Sequence, residues 1–289
     1  MNTAVNEIRF IPAVAVPEGA GVTVHRTIGT PALRNYDPFL LLDHISSNNP
    51  EEYIAGFPSH PHRGFSTFTY IIDGYMAHQD SMGNTGDLGP GSAQWMKAAS
   101  GVIHSEMPKQ ENGLLRGFQL WINLPAANKL DHPEYQEYSA AAFPVVETPD
   151  YRLKVLIGRF ADASAPIVDN ITNVSYFDVQ VQPGKHFQHH LPVENNSFLY
   201  VFEGDGQLDE EMVPLHSLVT LESDVRSFGF VAGRTGARFV VVSGRPIHEP
   251  IVQYGPFVMN TREQIDQAMK DFQSNNFVRD RAWIKRDKK

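Results

Sequence analysis

The stretch HPHRGFSTFTYIIDG, residues 60–74, contains a histidine pair followed by a run of strand-forming residues. β-Branched and aromatic side chains dominate FSTFTYII at 65–72 and an Asp-Gly pair ends the run, so the pattern predicts a β-strand closed by a turn. Just before this run, one residue separates His60 from His62. Residues i and i+2 of a strand point to the same face, with Cα atoms roughly 6.5 Å apart. Two imidazoles with this spacing can therefore converge on one metal ion, at about 2.0–2.1 Å from each nitrogen.

A second pair with the same spacing occurs in GVIHSEM, residues 101–107, where one residue separates His104 from Glu106. If both strands face the inside of one barrel, three imidazoles and one carboxylate surround a single position. Such a set suits Fe(II), manganese, nickel, copper or zinc, and not a hard-oxygen cation such as Ca²⁺. Spacing alone leaves an alternative open. The 12 histidines produce some such pairs by chance, and HPH can form a surface turn because Pro61 cannot donate to a β-ladder.

Strand patterns dominate the rest of the sequence. FQLWINL at 118–124 alternates cleanly, with its apolar residues on one face. Further strands are predicted at 152–158, 174–181, 197–202 and 238–244. Many short strands at regular spacing predict an all-β sandwich or barrel.

One helix is predicted, close to the C-terminus. Thr261 can cap its first turn, and Gln264 completes a capping box. An apolar stripe with i, i+3, i+4, i+7 spacing follows, formed by Ile265, Ala268, Met269 and Phe272.

The two halves of the sequence resemble each other. YIIDG at 70–74 is matched by YVFEG at 200–204, and a histidine group precedes each of them, HPH at 60–62 and HFQHH at 186–190. Both elements occur in the same order, which indicates two related β domains in tandem.

We place the domain boundary in the loop-like stretch from Pro144 to Pro149. The first domain then covers residues 1–145 and carries the metal site, and the second covers residues 146–289 with the C-terminal helix and tail. In the second domain the segment FVAGRTGARF contains neither histidine nor glutamate. We therefore expect the second metal site to be degenerate, without a partner motif for His186, His189 and His190.

Composition limits the possible functions. The chain of 289 residues has 33 acidic and 24 basic residues, and only the end, RDRAWIKRDKK, clusters basic side chains, so direct nucleic-acid binding is not expected. Cysteine is absent, which excludes disulfides, thiolate metal sites and thiol nucleophiles. The N-terminal MNTAVNEIRF lacks the layout of a signal peptide, and FIPAVAV is too short and proline-broken to span a bilayer. We expect a cytoplasmic monomer that binds no membrane.

Several motifs carry a resemblance to a known family over nearly the whole chain. HPHRGF and six further motifs resemble the pirins, bicupin proteins of the cupin superfamily. The further motifs are TYIIDG, AHQDSMGNTG (77–86), PGSAQWM (90–96), GVIHSEMP (101–108), GFQLWINLP (117–125) and GPFVMNT (255–261). In one departure, pirins usually have glutamate after HRGF, where this chain has Ser66. The change could alter the surroundings of the histidines, because serine cannot orient an imidazole as a carboxylate does.

The resemblance implies a fold and a metal site. The fold is two cupin (jelly-roll) β-barrels packed face to face, with a short C-terminal helix. The N-terminal barrel should hold one mononuclear divalent metal, usually iron as Fe²⁺, with nickel, copper, manganese, cobalt and zinc as alternatives. The residues that match the family's ligands are His60, His62, His104 and Glu106.

The resemblance also implies three candidate functions. Several bacterial pirins resemble quercetin 2,3-dioxygenases, which open flavonols with O₂ and release carbon monoxide. In that reaction Glu106 would be both ligand and base, and Phe57 would line a pocket for the aromatic substrate. Pirins of higher organisms act as metal-dependent transcriptional co-regulators, and some bacterial pirins bind metabolic enzymes, so the alternative is a non-enzymatic binding protein with an unidentified partner. A different cupin reaction, such as an isomerisation, is the third candidate. We expect the dioxygenase.

Overall fold

The computed structural model describes residues 9–109, 113–221 and 227–279. This part of the chain is mainly β-structure, as the sequence predicts. In its first half the strands are β1 Arg9–Pro12, β2 Val14–Glu18, β3 Val22–Arg26, β4 Phe39–Ser47, β5 Phe57–His62, β6 Phe65–Asp73, β7 Met76–Asp80, β8 Thr85–Leu88, β9 Ala93–Lys97, β10 Val102–Pro108, β11 Leu115–Asn123 and β12 Glu134–Tyr138. The elements that follow are β13 Val145–Glu147, β14 Tyr151–Ile157, β15 Arg159–Phe160, β16 Ala163–Ser164, β17 Ser175–Val181, β18 His186–His190, β19 Asn196–Leu208, β20 Glu211–Val213, β21 Ser217–Leu221, β22 Ser227–Gly244, β23 Val252–Tyr254, β24 Phe257–Met259 and helix α1 Arg262–Gln273.

Three short 3₁₀ helices complete the described secondary structure, at Pro50–Glu52, Ala126–Asn128 and Ala140–Ala142. The predicted strands all coincide with observed ones. Within the described ranges, no helix is both long enough and apolar enough to cross a membrane.

The predicted helix is confirmed at its N-terminus, where Thr261 and Gln264 form both bonds of the capping box. Ile265 and Ala268 of the predicted stripe are buried. Phe272 is not, since 43% of it is exposed. Its ring instead meets Phe257 edge-on, because it lies at the margin of the packed face.

The chain divides into two compact units, here called unit I and unit II. Unit I contains Val14–Thr30, Pro38–Ala141 and the described residues from Ile247 onward, and unit II contains residues 9–13, Pro31–Asp37 and Ala142–Pro246. This division differs from the predicted domains 1–145 and 146–289. The central boundary lies close to the predicted one, but the two chain ends exchange places. The tail predicted beyond the helix lies, from residue 280, outside the described residues.

Strand pairing explains why the first described strand belongs to unit II. β1 pairs antiparallel with β21, with Arg9 opposite Thr220. The linker that follows β3 is also tied into this unit, because the Tyr36 hydroxyl donates to the Leu221 carbonyl and the Asn196 amide donates to the Asp37 carbonyl.

Unit I contains two larger sheets. One has seven strands in the order β12-β9-β6-β11-β4-β3-β2, and the other has four in the order β5-β10-β7-β8. In β11 the alternation predicted from the sequence is confirmed, because Phe118, Leu120 and Ile122 are buried on one face. Gln119 and Trp121 occupy the opposite face of the same strand.

Unit II is built on one nine-stranded sheet with the path β1-β21-β19-β22-β17-β14-β13, to which β18 and β20 add by pairing with β22 and β19. A continuous apolar cluster fills it, in which Phe187, Phe228, Phe230 and Phe239 are all buried. The β15–β16 hairpin adds Phe160 to the edge of this cluster.

The C-terminal helix joins unit I through a buried ion pair. Arg63, directly after HPH, donates to the Asp271 carboxylate of α1 at 2.7 Å and to the carbonyls of Ser100 and Phe277 at 2.6 and 3.2 Å. Only 2% of the Arg63 side chain is exposed. Asp271 also pairs with Arg279. Burial alone would raise the pKa of Asp271, but the bonds from Arg63 and Gln267 outweigh it and hold the pKa below the ordinary value.

We expect Asp271→Ala to lower the free energy of unfolding by about 3–5 kcal/mol, because it leaves the buried Arg63 charge without its carboxylate. The matched control is Asp266→Ala on the same helix, which removes an exposed pair with Arg262 and should cost about 1 kcal/mol or less. Chemical denaturation of both variants measures the difference. Equal losses would contradict the assigned role of Arg63.

Candidate metal centre

Pairing of β5 with β10 brings the two sequence pairs together. His60 lies directly opposite His104 in this antiparallel ladder, and His62 follows two residues later on the same face. HPH is therefore part of a strand and not of a surface turn. Pro61 is tolerated because β5 is the edge strand of its sheet and needs hydrogen-bond partners on one side only.

Three imidazoles converge between these strands. Ring nitrogens of His60, His62 and His104 all lie within 4.8 Å of one another. The ring centroids are 4.6 Å apart for His60 and His62, 4.4 Å for His60 and His104, and 4.9 Å for His62 and His104. His60 is partly buried and the other two are buried. Of the three, His60 is the most exposed to solvent.

The hydrogen bonds of His60 define its tautomer. Its Nδ1 lies 2.7 Å from the Pro58 carbonyl, which can only accept, so Nδ1 carries the hydrogen and Nε2 presents a lone pair. That Nε2 is 3.0 Å from the Nε2 of His62. Two nitrogens bound at about 2.1 Å to one ion, at a right angle, have this separation. A backbone carbonyl that fixes the outer nitrogen is the usual support of a metal-binding histidine.

Burial keeps the inner histidines neutral. Burial lowers the pKa of His62 well below its ordinary value, His60 lowers it further, and the Pro256 carbonyl acts in the opposite direction. The pKa of His104 is also well below the ordinary value, first through burial and then through repulsion by His62, His60 and His78. Neutral imidazoles are the form that binds transition metals.

Glu106 lies on the His104 side of the cluster. One of its carboxylate oxygens is within 4.8 Å of ring nitrogens of His104 and His78, and only 4% of the residue is exposed. Oε1 accepts hydrogen bonds from the Gln94 amide and, at 2.9 Å, from the Thr69 hydroxyl. These donors come from β9 and β6, so the seven-stranded sheet supports a carboxylate carried by the facing β10.

The sequence analysis missed this supporting group and the fourth histidine. His78 of β7 lies opposite Glu106 in the β10 ladder, and its ring stacks on Tyr135 at 4.5 Å. The signal was present, because His78 and Asp80 repeat the one-residue spacing of the two ligand pairs. Gln94 carries no comparable signal, since its role depends on the position of its strand within the sheet.

Phe57 and Ser66, which the sequence also singled out, are not among the clustered ligands. Phe57 is partly buried and packs against an apolar cluster that includes Val22, Val24 and Tyr53. Its part in a substrate pocket stays a prediction. Ser66 is buried on β6, three residues before Thr69. An odd separation places two side chains on opposite faces of a strand, so Ser66 points away from the face on which Thr69 bonds to Glu106.

Unit II fills the corresponding position with aromatic rings. β18 pairs with β22 as β5 pairs with β10, and there Phe187 lies opposite Phe230, with His189 two residues further on. Of the HFQHH histidines, His186 and His190 are exposed and His189 alone points inward, where Phe160, Phe177, Phe187 and Phe228 contact it. Burial, with a smaller contribution from His190, lowers the pKa of His189 to about 4. Within the described part of unit II, no three potential ligands gather at one point.

The residues of unit I fit a transition metal. They offer imidazole nitrogens and one carboxylate oxygen close together, which is a donor set for iron, nickel, copper, manganese, cobalt or zinc. Both ring nitrogens of His104 are buried without a hydrogen-bond partner. A bound ion would satisfy one of them. In this all-β unit, two pairs of potential ligands, each separated by one residue, point inward. Such an arrangement defines a cupin-type protein with a candidate metal centre.

Comparison with known proteins agrees with this class. Residues 21–122 match the sequence model of the family Pirin, and residues 176–278 match that of the Pirin C-terminal cupin domain. The chain belongs to the pirin family. A Pseudomonas aeruginosa protein named putative quercetin 2,3-dioxygenase is 45% identical over 262 residues, 88% of this chain and 92% of the relative. Human pirin is 38% identical over 276 residues, 92% of each chain.

A solved structure extends the likeness to three dimensions. The crystal structure of a quercetin 2,3-dioxygenase from Acinetobacter baumannii matches with a TM-score of 0.86 and 30% identity, covering 93% of this chain and 97% of the other. The predicted all-β bicupin fold is therefore confirmed.

We expect one transition metal per chain in unit I. His62→Ala removes a buried ligand, and metal analysis should find near-complete loss. The control combines His186→Ala and His190→Ala with His189→Phe, which keeps a ring in its aromatic surroundings, and should retain the metal. Metal that survives in His62→Ala and leaves with the unit II histidines would contradict this assignment.

Proposed function

We propose that this protein is a metal-dependent dioxygenase that opens flavonols such as quercetin with O₂ and releases carbon monoxide. The observation that carries the proposal is a largely buried three-histidine cluster with an adjacent carboxylate. The names of the Pseudomonas and Acinetobacter relatives support the same reaction class.

The proposed metal ligands are His60, His62, His104 and Glu106, with Fe²⁺ as the expected ion and nickel, copper, manganese, cobalt or zinc as alternatives. When bound, the divalent metal would stabilise the deprotonated flavonol oxygen and promote its reaction with O₂. The histidines contribute by staying neutral, since burial keeps protons off His62 and His104. They therefore compete poorly for the proton that the flavonol must lose.

Glu106 is the proposed base for the flavonol 3-hydroxyl. In the described part of the chain its oxygens accept from amide and hydroxyl groups, and no cation pairs with it. The carboxylate is therefore not engaged in an ion pair within the described residues. Its support also permits movement. The Thr69 hydroxyl has a second acceptor, Gln119 Oε1 at 2.6 Å, to which its single hydrogen can turn when Glu106 moves.

Aromatic surface beside the cluster supports an aromatic substrate. Trp121 is partly buried, with its ring 5.0 Å from His62 and nearly perpendicular to it. Phe65 also stacks against this indole at 4.4 Å, so the ring is held in place. A rigid indole offers a flat face on which an aromatic ring can pack.

Oxygen uptake and carbon monoxide release with quercetin test the proposal directly. We expect both from metal-loaded protein. If the loaded protein consumes no oxygen with any flavonol, the proposal is wrong and a regulatory binding role replaces it.

We expect Glu106→Gln to retain part of the metal but to lower turnover per bound metal by about a hundredfold or more, because an amide cannot take the proton. The assay uses a pH low enough that quercetin does not ionise on its own. Ser105→Ala is the control, since it changes the neighbouring residue on the opposite face of β10. Near wild-type turnover per metal in Glu106→Gln would show that another group is the base.

Removal of the metal should leave the fold intact. Both units are built on extensive sheets with buried apolar clusters, so the ion is not needed to form a core. We expect chelated protein to keep its circular dichroism spectrum and to lose only a few degrees in melting temperature. Global unfolding on chelation would identify the site as structural.

A further inference from the structure

We infer that Asp80 and His78 form a hydrogen-bonded chain to His104 and act as positioning residues for it. In this chain His78 accepts the hydrogen on the His104 ring nitrogen that faces away from the metal. The inference rests on the proposed metal site. It assigns a role to two buried residues outside the proposed ligand set.

Asp80 is the fixed end of the chain. Its Oδ1 accepts from the backbone N–H groups of Met82 and Asn84 at 2.9 and 3.0 Å, and its Oδ2 accepts from the Asn84 side chain at 2.7 Å. Three donors from the turn after β7 thus hold a buried carboxylate in one orientation. Oδ2 also lies 3.4 Å from Nε2 of His78.

This contact determines the tautomer of His78. A carboxylate only accepts, so Nε2 carries the hydrogen and Nδ1 keeps a lone pair. That Nδ1 is buried and has no hydrogen-bond partner. The ring plane is fixed independently, because His78 stacks nearly parallel on Tyr135 at 18°. A buried acceptor held in one direction requires a donor.

His104 supplies the missing donor. It is 1% exposed, and neither of its ring nitrogens has a hydrogen-bond partner. A neutral imidazole has one lone pair and one N–H, so the nitrogen that does not bind metal must donate. The rings of His78 and His104 are 5.3 Å apart at their centroids, tilted by 49°. Because the His78 ring is fixed, we infer that rotation of the His104 ring brings its N–H to Nδ1 of His78.

The pairing also explains why His78 is not itself a fourth imidazole ligand. With Asp80 holding Nε2, only Nδ1 is free, and His78 is grouped with His104 and Glu106, each offering one ligand atom within 4.8 Å of the others. Glu106 cannot donate to Nδ1 while it is ionised, which leaves the His104 N–H as the complementary group. The chain thus presents the opposite lone pair of His104 toward His60 and His62.

The test compares Co²⁺ affinity in variants that change the hydrogen bonding at position 78. His78→Phe preserves the stack on Tyr135 and removes the acceptor, so we expect the dissociation constant to rise about 10–100-fold. His78→Gln should recover part of the loss, because its amide oxygen can accept. His44→Phe is the matched control, since His44 is another buried histidine of unit I, stacked on Phe118 at 4.7 Å, and its replacement should leave the affinity unchanged.

Asp80→Asn provides a second readout that needs no metal. The isosteric amide can donate to Nε2, which drives His78 to the Nδ1–H tautomer and creates two opposed donors. Nitrogen-15 NMR of the metal-free protein should find His78 as the Nε2–H tautomer in the wild type and as the Nδ1–H tautomer in Asp80→Asn. Co²⁺ binding of this variant should weaken as in His78→Phe.

Each outcome decides the inference. Unchanged Co²⁺ affinity in His78→Phe overturns it and indicates that Glu106 holds the outer nitrogen of His104. Complete loss of Co²⁺ binding overturns it as well, because His78 would then be a ligand. Wild-type protein that binds no Co²⁺ overturns the proposed metal site together with this inference, whereas loss in His62→Ala with an unaffected His78→Phe overturns the inference alone.

Discussion

The antiparallel register of β5 on β10 is the constraint on which the candidate metal centre depends. His60 lies opposite His104, and the two-residue period of a strand then places His62 and Glu106 on the same side. A slip of β5 by one residue would turn His60 and His62 to the opposite face, away from His104 and Glu106. The turn after β5 secures the register. Arg63 and Lys129 are buried there, and the Lys129 ammonium donates to the carbonyl oxygen of Gly64 at 2.8 Å. A Cβ on Gly64, whose φ is +91°, would collide with the Val258 carbonyl.

The equivalent strand pairs, β5 with β10 and β18 with β22, place different side chains in the interiors of the two units. In unit I the pair turns imidazoles into the interior, and in unit II the matching positions carry Phe187, His189 and Phe230. Phenylalanine rings need no hydrogen bonds, so unit II closes as a continuous apolar core. His189 remains among these rings, where burial lowers its pKa. Among the described residues of unit II it belongs to no group of three potential metal ligands.

A polar interior has a cost that unit I meets by hydrogen bonding. Glu106, Thr69 and Gln94 are all buried, and each takes part in one connected set of bonds that continues to the Tyr135 hydroxyl, which donates to Gln94 Oε1 at 3.0 Å. Buried polar groups are tolerated when such a set is complete. At the site itself, ring nitrogens of His62, His78 and His104 are buried without a hydrogen-bond partner. Departures of this kind from a fully satisfied interior are expected at functional sites.

The sequence by itself determined what depends on neighbours along the chain. Local patterns, with periods of 2 and 3.6 residues, predict the strand at 65–73 and the helix capped by Thr261. The same period of 2 predicts that the ligand pairs beginning at His60 and His104 each share one face of a strand. Contacts between distant segments were decided only by the tertiary structure. The exchange of the chain ends between the units depends on pairs such as Arg63 with Asp271, 208 residues apart, for which no local pattern exists. The support of Glu106 by Gln94 and Thr69 likewise requires three strands to meet, because a side chain's partners are set by sheet order and not by sequence spacing.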